Sequence, residues 1–582
     1  MKCMFCMLLC LLLAPTLTGA ALAEGTPDIY AIRENLTSLE IADDMGNGIN
    51  LGNTMEAYGH TSLGVHASPS RYEALWGMPS TTRKMIEGMK ACGFDTIRIP
   101  VAWTNTMDFE HDNFAISEAW MDRVEEIVRW ALEADMYVIL NDHWDGGWLG
   151  MFGSASPEKQ ERAMNLYVSL WTQVGERFAK YGDHLIFEAA NEEFGNRFND
   201  TDWAEDSGTL DTNACYAKIT ELTQIFVDLI RSQGGNNAQR FLLIPGFNTN
   251  IANTVDDRYQ MPTDAANRLL LSVHYYDPDG FCQWASVDSW GSEKDFASMA
   301  DSLSKLTKWT DQGYGIVIGE YGVLGQKHGG TELRNDTLKY LTCFLDHCDL
   351  YGYAPMLWDC NDLYLRLKAI MYNDDVLALY TGRSRNAQAD MTVEEIKAAA
   401  QASIDEAIAN ATAPAGAAEN QAIAWLMFNS ADWSATYSVG DVYDPSAKSA
   451  GIVATDVEVT GPGRYTVGLD FSGYGSGYVV GTVFSALAMS NGEQLFPGCF
   501  LDLKEIQING ERYQFKGRGY TTSDDGKCTR VNLYNSWVTK LPGSARIKGN
   551  NLTGCMSTLL NNDDAPMKKI RSIYVTFELV LP

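Results

Sequence analysis

Basic residues are scarce in this chain. Its 582 residues include 44 lysines and arginines against 75 aspartates and glutamates, which gives a formal net charge of −31. Such an excess of negative charge repels phosphate backbones and anionic lipid headgroups. We therefore expect no nucleic-acid partner and no membrane partner, and the charge is in keeping with a soluble secreted protein.

Metal-binding cysteine patterns are missing as well. Of the 12 cysteines, three lie within the first ten residues, and the others are scattered with no Cys-x-x-Cys pair among them. We therefore expect no zinc site and no other metal. The scattered cysteines should be mostly buried thiols, although one disulfide among Cys499, Cys528 and Cys555 stays open.

Long apolar stretches are absent except at the N-terminus. Residues 1–23 place Lys2 before an apolar run that ends in Ala21-Leu22-Ala23, a small-residue cleavage pattern. This arrangement predicts a signal peptide that is cut after about Ala23, and the run is too short for a good transmembrane helix. We expect a secreted, extracellular protein, and we expect it to be a monomer.

Aromatic residues, by contrast, are abundant, with 15 tryptophans and 27 tyrosines. Flat aromatic rings suit the apolar faces of sugar rings, but large cores also contain tryptophan. Composition alone leaves both interpretations open.

Eight short apolar runs alternate with helical patterns between about residues 46 and 382. Their continuous apolar character is typical of parallel strands that are buried on both faces. The runs are GINLGN (48–53), FDTIRIP (94–100), MYVILN (136–141), LIFEAA (185–190), FLLIPG (241–246), LLLSVHYY (269–276), GIVIGEY (315–321) and APMLWD (354–359).

Helical patterns at 80–93, with a Ser cap candidate, 117–136 and 156–182 separate the early runs. This alternation predicts an α/β fold, a (β/α)8 or TIM barrel, over residues 28–382. A doubly wound sheet is the alternative, but no GxGxxG motif or phosphate loop follows any strand, so we expect no cofactor.

The C-terminal part of the sequence changes character twice. Residues 383–420 are rich in alanine and predict a helix followed by a linker. Residues 421–582 contain short β segments separated by Gly, Asn and Asp turns, which predict an all-β sandwich domain.

Chemically distinctive residues stand where the predicted barrel strands end. In a TIM barrel the C-terminal strand ends line the active site. The residues at these positions are Arg98, His143, Asn191, Glu192, His274, Tyr276, Glu320 and Trp358.

Five motifs occur in order on successive parts of the barrel. They are GNGINLGNTMEA (46–57), IRIPVAW (97–103), FEAANEE (187–193), SVHYYDP (272–278) and IVIGEYG (316–322). The set resembles glycoside hydrolase family 5, and the first motif is most similar to its subfamily 4 of endo-β-1,4-glucanases and xyloglucanases. The chain departs from the family at Glu193, where proline is common, and at Trp144, where a second histidine is common.

The resemblance implies that Glu192 is the acid/base and Glu320 the nucleophile of a retaining, metal-independent hydrolase. Arg98 and Tyr276 would bind Glu320, and His274 would lie beside Glu192. We expect Arg98 to keep the pKa of Glu320 low, and the nearby charge of Glu320 to raise that of Glu192.

The resemblance also implies how the sugar is bound. Asn191 would bind the 2-hydroxyl, His143 another hydroxyl, and Trp358 would be the stacking surface. Glu193 should point away from the sugar, and Glu188 should make a buried polar contact. Four loop tryptophans either line the cleft or cover the barrel, namely Trp144, Trp148, Trp284 and Trp290.

The C-terminal domain more loosely resembles the carbohydrate-binding modules of cell-wall-degrading enzymes. Trp433, Tyr437 and Trp537 are its candidate stacking residues. A packing domain that only stabilises the barrel is the alternative.

The sequence thus predicts a secreted retaining endo-β-1,4-glucanase that hydrolyses cellulose, mixed-linkage β-glucan or xyloglucan. A β-mannanase or xylanase of the same family stays open as an alternative. So does a non-catalytic glycan-binding protein.

Overall fold

The computed structural model describes residues 28–582, apart from residues 112, 286, 288, 327–332, 410, 412–419, 441–445 and 524. The predicted signal peptide lies outside the described residues. Among the helices described, none combines the length and apolarity that crossing a membrane requires.

Eight parallel strands close into a barrel in sequence order, and β8 pairs with β1. The predicted (β/α)8 fold is confirmed, and each strand lies within or close to its predicted run. The strands are β1 (Gly48–Asn50), β2 (Thr96–Ile99), β3 (Tyr137–Asn141), β4 (Leu185–Glu188), β5 (Leu242–Asn250), β6 (Leu269–Tyr275), β7 (Gly315–Tyr321) and β8 (Ala354–Leu357).

Helices connect the strands and cover the barrel. The longer ones are α1 (Ser38–Asp44), α2 (Arg83–Ala91), α3 (Glu118–Glu133), α4 (Pro157–Phe178), α5 (Thr212–Ser232), α6 (Glu293–Ser304), α7 (Thr337–Tyr351), α8 (Asp374–Gly382) and α9 (Val393–Ala409). Four- and five-residue helices lie at His60–Leu63, Pro69–Glu73, Ile251–Thr254, Asp279–Cys282, Thr307–Thr310, Arg385–Gln388 and Gly492–Leu495.

Local signals explain where these helices begin. Ser117 and Ser156 cap α3 and α4, each accepting a hydrogen bond from the backbone N–H three residues later. Helix α2 starts later than the sequence predicts, because Thr82 rather than Ser80 accepts the hydrogen bond, from Met85 N.

The barrel interior has an apolar layer and a polar layer. Ile139, Ile186, Leu270 and Val317 form a buried cluster with Ile41 of α1. Successive residues of a strand alternate sides, so residues two positions further along point to the same interior.

Those further positions carry Asn141, Glu188 and Ser272, which are completely buried. They form the floor beneath the C-terminal strand ends. The polar floor therefore lies where a TIM barrel builds its site.

The alanine-rich helix α9 packs on the barrel. Its Ala400 and Ile404 are buried, and Ser403 Oγ donates a hydrogen bond to Asp346 Oδ2 of α7 at 2.6 Å. Most of the predicted linker after α9 lies outside the described residues.

Antiparallel sheets build the C-terminal domain. A hairpin of β9 (Tyr364–Leu365) and β10 (Ile370–Met371) precedes it. A six-stranded sheet contains β11 (Ile423–Asn429), β12 (Thr436–Ser438), β13 (Ala447–Lys448), β15 (Val457–Glu458), β17 (Phe484–Ser490) and β20 (Thr529–Asn535). A five-stranded sheet contains β14 (Val453–Thr455), β16 (Gly463–Asp470), β18 (Phe500–Ile508), β19 (Glu511–Arg512) and β21 (Ser572–Val580).

One apolar core joins the two sheets. Leu426 and Leu487 of the six-stranded sheet belong to the same buried cluster as Val467 and Phe577 of the five-stranded sheet. The predicted all-β sandwich is confirmed. No disulfide joins Cys499, Cys528 and Cys555, and none forms between the other cysteines of the described residues.

Candidate active site

Two glutamates and a histidine meet above the polar floor. Glu192 follows β4, Glu320 lies near the end of β7, and His274 lies near the end of β6. His274 Nδ1 lies 2.8 Å from Glu192 Oε1 and 3.7 Å from Glu320 Oε2. One ligand-type atom from each of the three residues lies within 4.8 Å of the others. The sequence motifs on three separate strands therefore converge on one point.

Glu320 is held from both of its oxygens. Arg98 Nη1 donates to Oε1 at 3.0 Å, and the Tyr276 hydroxyl donates to Oε2 at 3.1 Å. His143 Nε2 lies 3.9 Å from Oε1. These contacts fix the orientation of a carboxylate that is 6% exposed. Both partners that the sequence suggested for Glu320 are thus in place.

Arg98 is completely buried and uses its whole guanidinium group. Besides Glu320, its Nε donates to Glu188 Oε2 at 2.7 Å, its Nη1 to Asn50 Oδ1 at 3.0 Å and its Nη2 to Asn191 Oδ1 at 2.8 Å. Burial lowers the pKa of Arg98, but the charges of Glu188 and Glu320 outweigh burial and raise it. A permanently charged cation that donates several hydrogen bonds thus lies at the centre of the site.

Glu188 organises this centre from below. Its Oε2 also accepts from Asn141 Nδ2 at 3.0 Å, and its Oε1 accepts from Ser272 Oγ at 2.7 Å. Asn50 Nδ2 donates to the carbonyl of Gly319, next to Glu320, at 3.0 Å. Sequence reasoning missed Asn50, Asn141 and Ser272 as parts of the site. The signal that identifies them is their position in the two-residue alternation of each strand, which places their side chains inside the barrel.

The two carboxylates do not have the pKa order expected from the sequence. Burial raises the pKa of Glu320, and His274 and Arg98 offset this only in part. Burial also acts to raise the pKa of Glu192, but the hydrogen bond and charge of His274, with Arg197 and Arg98, outweigh it and lower the pKa.

The pKa of His274 itself is raised. Burial acts to lower it, but the charge of Glu320 and the hydrogen bond with Glu192 outweigh burial. The contact between His274 and Glu192 therefore favours the charged forms of both groups, and the three groups titrate as one set.

An aromatic surface and an amide border the carboxylates. The rings of His143 and Trp358 stack with centroids 5.7 Å apart and an angle of 14°. Burial and then the charge of Arg98 lower the pKa of His143 well below its usual range, so its ring is neutral. Asn191 Oδ1 accepts a hydrogen bond from Arg98 Nη2, so the Nδ2 group of Asn191 is oriented to donate elsewhere. Among the described residues, Nδ2 has no hydrogen-bond partner.

Comparison with known proteins decides the family. The model of the cellulase family, glycosyl hydrolase family 5, matches residues 55–363, slightly more than half of the chain. The chain belongs to glycoside hydrolase family 5.

Characterised relatives and solved structures agree with this family. Endoglucanase A of Paenibacillus barcinonensis is 32% identical over 373 residues, 59% of this chain and 87% of that protein. The xyloglucan-specific endo-β-1,4-glucanase of Bacteroides ovatus is 33% identical over 385 residues, 62% of this chain and 70% of that protein. A solved GH5-4 broad specificity endoglucanase from an uncultured bovine rumen ciliate is 31% identical, with a TM-score of 0.51, covering 60% of this chain and 99% of its own.

Glu193 occupies a position where proline is common in family 5. Its side chain is not part of the Glu192–His274–Glu320 group. It is 2% exposed, and its Oε1 lies 3.5 Å from Arg197 Nη1. Burial raises its pKa to about 7, against the charge of Arg197. Asn248 Nδ2 donates to the carbonyl of Glu192 at 2.7 Å, which holds the turn that separates the two glutamates.

The loop tryptophans of this family 5 barrel separate into two groups. Trp148 and Trp290 are 1% and 3% exposed and pack inside the core, so they do not line the cleft. Trp144 packs edge-on against Tyr58 with ring centroids 5.7 Å apart, and Trp284 is 72% exposed. Of these four loop tryptophans, Trp144 and Trp284 therefore remain candidates for contact with a substrate.

The Glu192–His274–Glu320 set is also the one group of metal-ligand type within the part of the chain that the structure describes. One imidazole and two carboxylates suit a divalent cation. The two carboxylates, however, are the residues that the sequence predicts as acid/base and nucleophile, and Arg98 already pairs with Glu320. Acid–base chemistry accounts for the cluster, and we assign no metal or cofactor to it.

Proposed function

We propose that this protein is a secreted, retaining endo-β-1,4-glucanase. Membership of family 5 makes it a glycoside hydrolase, and its endoglucanase and xyloglucanase relatives support β-glucan as the substrate. Secretion rests on the signal-like residues 1–23. The observation that carries the mechanism is the closeness of Glu192 and Glu320.

Their spacing distinguishes the two stereochemical routes. Retaining enzymes place the carboxyl groups about 5–5.5 Å apart, whereas inverting enzymes separate them by about 6.5–9.5 Å to admit a water. One oxygen of Glu192 and one oxygen of Glu320 lie within 4.8 Å of each other and of a ring nitrogen of His274. This spacing supports direct attack by one carboxylate on the sugar.

In the first step Glu320 attacks the anomeric carbon while the bond to the leaving oxygen breaks. Glu192 supplies the proton to that oxygen. When Glu192 is ionised beforehand, His274 first donates a proton to it across their 2.8 Å contact. The product of this step is a glycosyl ester of Glu320. Arg98 and Tyr276 hold the attacking carboxylate in a fixed orientation. The site therefore needs no rearrangement when Glu320 loses its charge on forming the ester.

In the second step water reverses the sequence of events. Glu192 takes a proton from the water, whose oxygen bonds to the anomeric carbon as the ester bond to Glu320 breaks. Two displacements at one carbon return the original configuration. In this proposal Asn191 Nδ2 binds the 2-hydroxyl, and the stacked His143–Trp358 pair supports the same sugar ring.

A panel of polymers tests this function. Purified protein should release reducing ends from carboxymethylcellulose, mixed-linkage β-glucan or xyloglucan, and NMR of early products should show the β-anomer. Activity confined to mannan or xylan would favour the alternative enzymes of the same family. The Glu320→Gln variant is the matched control, because it keeps the volume of the side chain and removes the nucleophile.

A further inference from the structure

Two tryptophans of the C-terminal domain lie next to each other and are exposed to solvent. Trp433 is 58% exposed and Trp537 is 60% exposed, and their ring centroids lie 6.3 Å apart at an angle of 33°. The ring centroids of Phe484 and Trp537 lie 6.4 Å apart, with an angle of 40° between the rings, so Phe484 extends the aromatic surface. The two tryptophans are 104 residues apart in sequence, so folding creates this surface.

The backbone at Trp433 is strained in order to present the ring. Its φ of +60° lies in the left-handed region, which is unfavourable for a bulky residue. Such positions are energetically unfavourable and persist where the surrounding structure enforces them. Because burial does not stabilise an indole that remains exposed, the strain points to a role in binding.

Hydrogen bonds enforce this turn. Ser430 Oγ donates to Asp432 Oδ1 at 2.6 Å and accepts from Ala435 N at 2.9 Å. Asp432 Oδ1 also accepts from Ser434 N at 3.1 Å. On the other side, Trp537 N donates to Asn535 Oδ1 at 3.2 Å, just beyond the end of β20. Both rings are therefore anchored by their own turns.

The tryptophans border a cleft at one end of the six-stranded sheet. Strand register places Asn429, Phe484 and Asn535 in one row across β11, β17 and β20. All three residues line the cleft together with the two tryptophans, and Phe484, which also belongs to the apolar core of the sandwich, forms part of its apolar surface. The cleft holds about 520 Å³ and is also lined by Thr522, Arg530, Asn532, Val538, Thr539, Lys540 and Pro542.

This lining has the chemistry of a sugar-binding site. The apolar face of a pyranose ring stacks on indole, while amide, hydroxyl and guanidinium groups hydrogen-bond its hydroxyls. Among the lining residues that the structure describes, none is acidic, although the whole chain carries a net charge of −31. Two adjoining rings and an open cleft suit neighbouring units of a linear, uncharged chain.

Tyr437, the third aromatic candidate from the sequence, is not part of this surface. It is 6% exposed and donates its hydroxyl hydrogen to Asp456. It belongs to the sandwich core, so Trp433 and Trp537 remain as the stacking pair.

We propose that the cleft between Trp433 and Trp537 binds a β-1,4-glucan chain, separately from the catalytic barrel. The ligand class rests on the proposed function, since a tethered second site is useful when it recognises the polymer that the barrel cleaves. Binding there raises the local concentration of the barrel at an insoluble substrate and leaves its chemistry unchanged.

Binding is tested with the full chain in the Glu320→Gln background, so that the polymer stays intact. Depletion onto insoluble cellulose and retardation in gels containing β-glucan are compared for the parent, Trp433→Ala/Trp537→Ala and Val453→Ala. Val453 is an exposed apolar residue of the other sheet, 62% exposed, and serves as the matched control. Thermal unfolding verifies that each variant is folded.

The double tryptophan variant should bind about tenfold or more weakly, since both stacking surfaces of the cleft are lost. The Val453→Ala variant should bind like the parent. Equal binding by all three proteins would overturn the proposal. Tryptophan-dependent binding of mannan or xylan but not of glucan would overturn the choice of ligand.

In the active background, the double variant should lose activity on insoluble cellulose and keep its kcat/KM on cello-oligosaccharides. Equal losses on both substrates would contradict a separate site. The two proposals fail in distinguishable ways. Absence of hydrolysis with tryptophan-dependent binding would refute the proposed function alone, and normal hydrolysis with unchanged binding would refute the cleft alone.

Discussion

The Nδ1 atom of His274 lies 2.8 Å from Oε1 of Glu192, so an ionisable ring is hydrogen-bonded to the proposed acid/base. Burial opposes both shifts, but the pKa of His274 is raised by the charge of Glu320 and by Glu192, and the pKa of Glu192 is lowered mainly by His274. The pair can hold its last proton on either group. The alkaline limb of the pH profile should therefore belong to the pair.

Replacing His274 by Gln should move the alkaline limb of kcat/KM to lower pH. The variant loses one of the two sites that bind the last proton, so that proton leaves Glu192 at a lower pH than it leaves the pair. A pH profile on a soluble glucan measures this shift. His184→Gln, at the opposite end of the barrel, should leave the limb in place, and an unmoved limb in His274→Gln would refute the shared proton.

Replacing Glu188 by Gln should move the acid limb to lower pH. Burial raises the pKa of Glu320, and removing a neighbouring buried negative charge frees more of the field of Arg98 for Glu320. Glu320 then stays ionised further into acid. Looser positioning of Arg98 should at the same time lower kcat roughly 10–100-fold.

The same pH profiles provide the check on Glu188. A fall in activity with an unchanged acid limb would mean that Glu188 acts only as a packing group. A shift to higher pH would contradict the electrostatic account directly.

The barrel and the meeting of Arg98 with Glu320 follow from the sequence, because parallel strands bring their C-terminal ends to one edge. The pKa order does not follow. The resemblance places His274 beside Glu192, but the order also depends on how strongly burial raises the pKa of Glu320. It depends as well on the register of β6 against β7, which shifts between Val273 and His274. Such an irregularity re-aims a side chain, and the sequence carries no clear sign of it.

The aromatic residues show the same limit. Trp148, Trp290 and Tyr437 are buried, whereas Trp433 and Trp537 are exposed, although all five lie in or next to predicted loops or short strands. Exposure depends on which distant segment covers each ring. A left-handed residue at Trp433 is a property of its turn that residue type does not suggest.

Replacing Asn191 by Ala should lower kcat about 10²–10³-fold with a smaller change in KM. Its Nδ2 amide is oriented by Arg98, and a fixed donor acts most strongly on charge that develops in the transition state. Steady-state kinetics on an aryl cellobioside measures both parameters. An increase in KM alone would show that Asn191 binds substrate and transition state equally.

Glu193 makes the stability of the protein depend on pH. Its folded pKa of about 7 lies above the ordinary 4.5, so the folded state holds its proton more tightly. This contribution is fully present below pH 4.5, declines as the pH rises towards 7 and is lost above it.

Glu193→Gln, which stays neutral, should therefore raise stability by roughly 1–3 kcal/mol more at pH 8 than at pH 5. Thermal unfolding of both proteins at the two pH values measures the difference. The same change at both pH values would show that Glu193 is ionised in the folded protein throughout this range.

The central claim is that Glu320 forms a covalent bond with the sugar while Glu192 moves the proton. The most direct measurement is mass spectrometry of the protein after reaction with a 2-deoxy-2-fluoro-cellobioside that carries a good leaving group. The fluorine slows the second displacement, so the glycosyl ester accumulates. The account predicts one added disaccharide on the peptide that contains Glu320, and none in Glu320→Gln. A label on Glu192, or an unlabelled protein that releases the α-anomer from natural substrate, would contradict it.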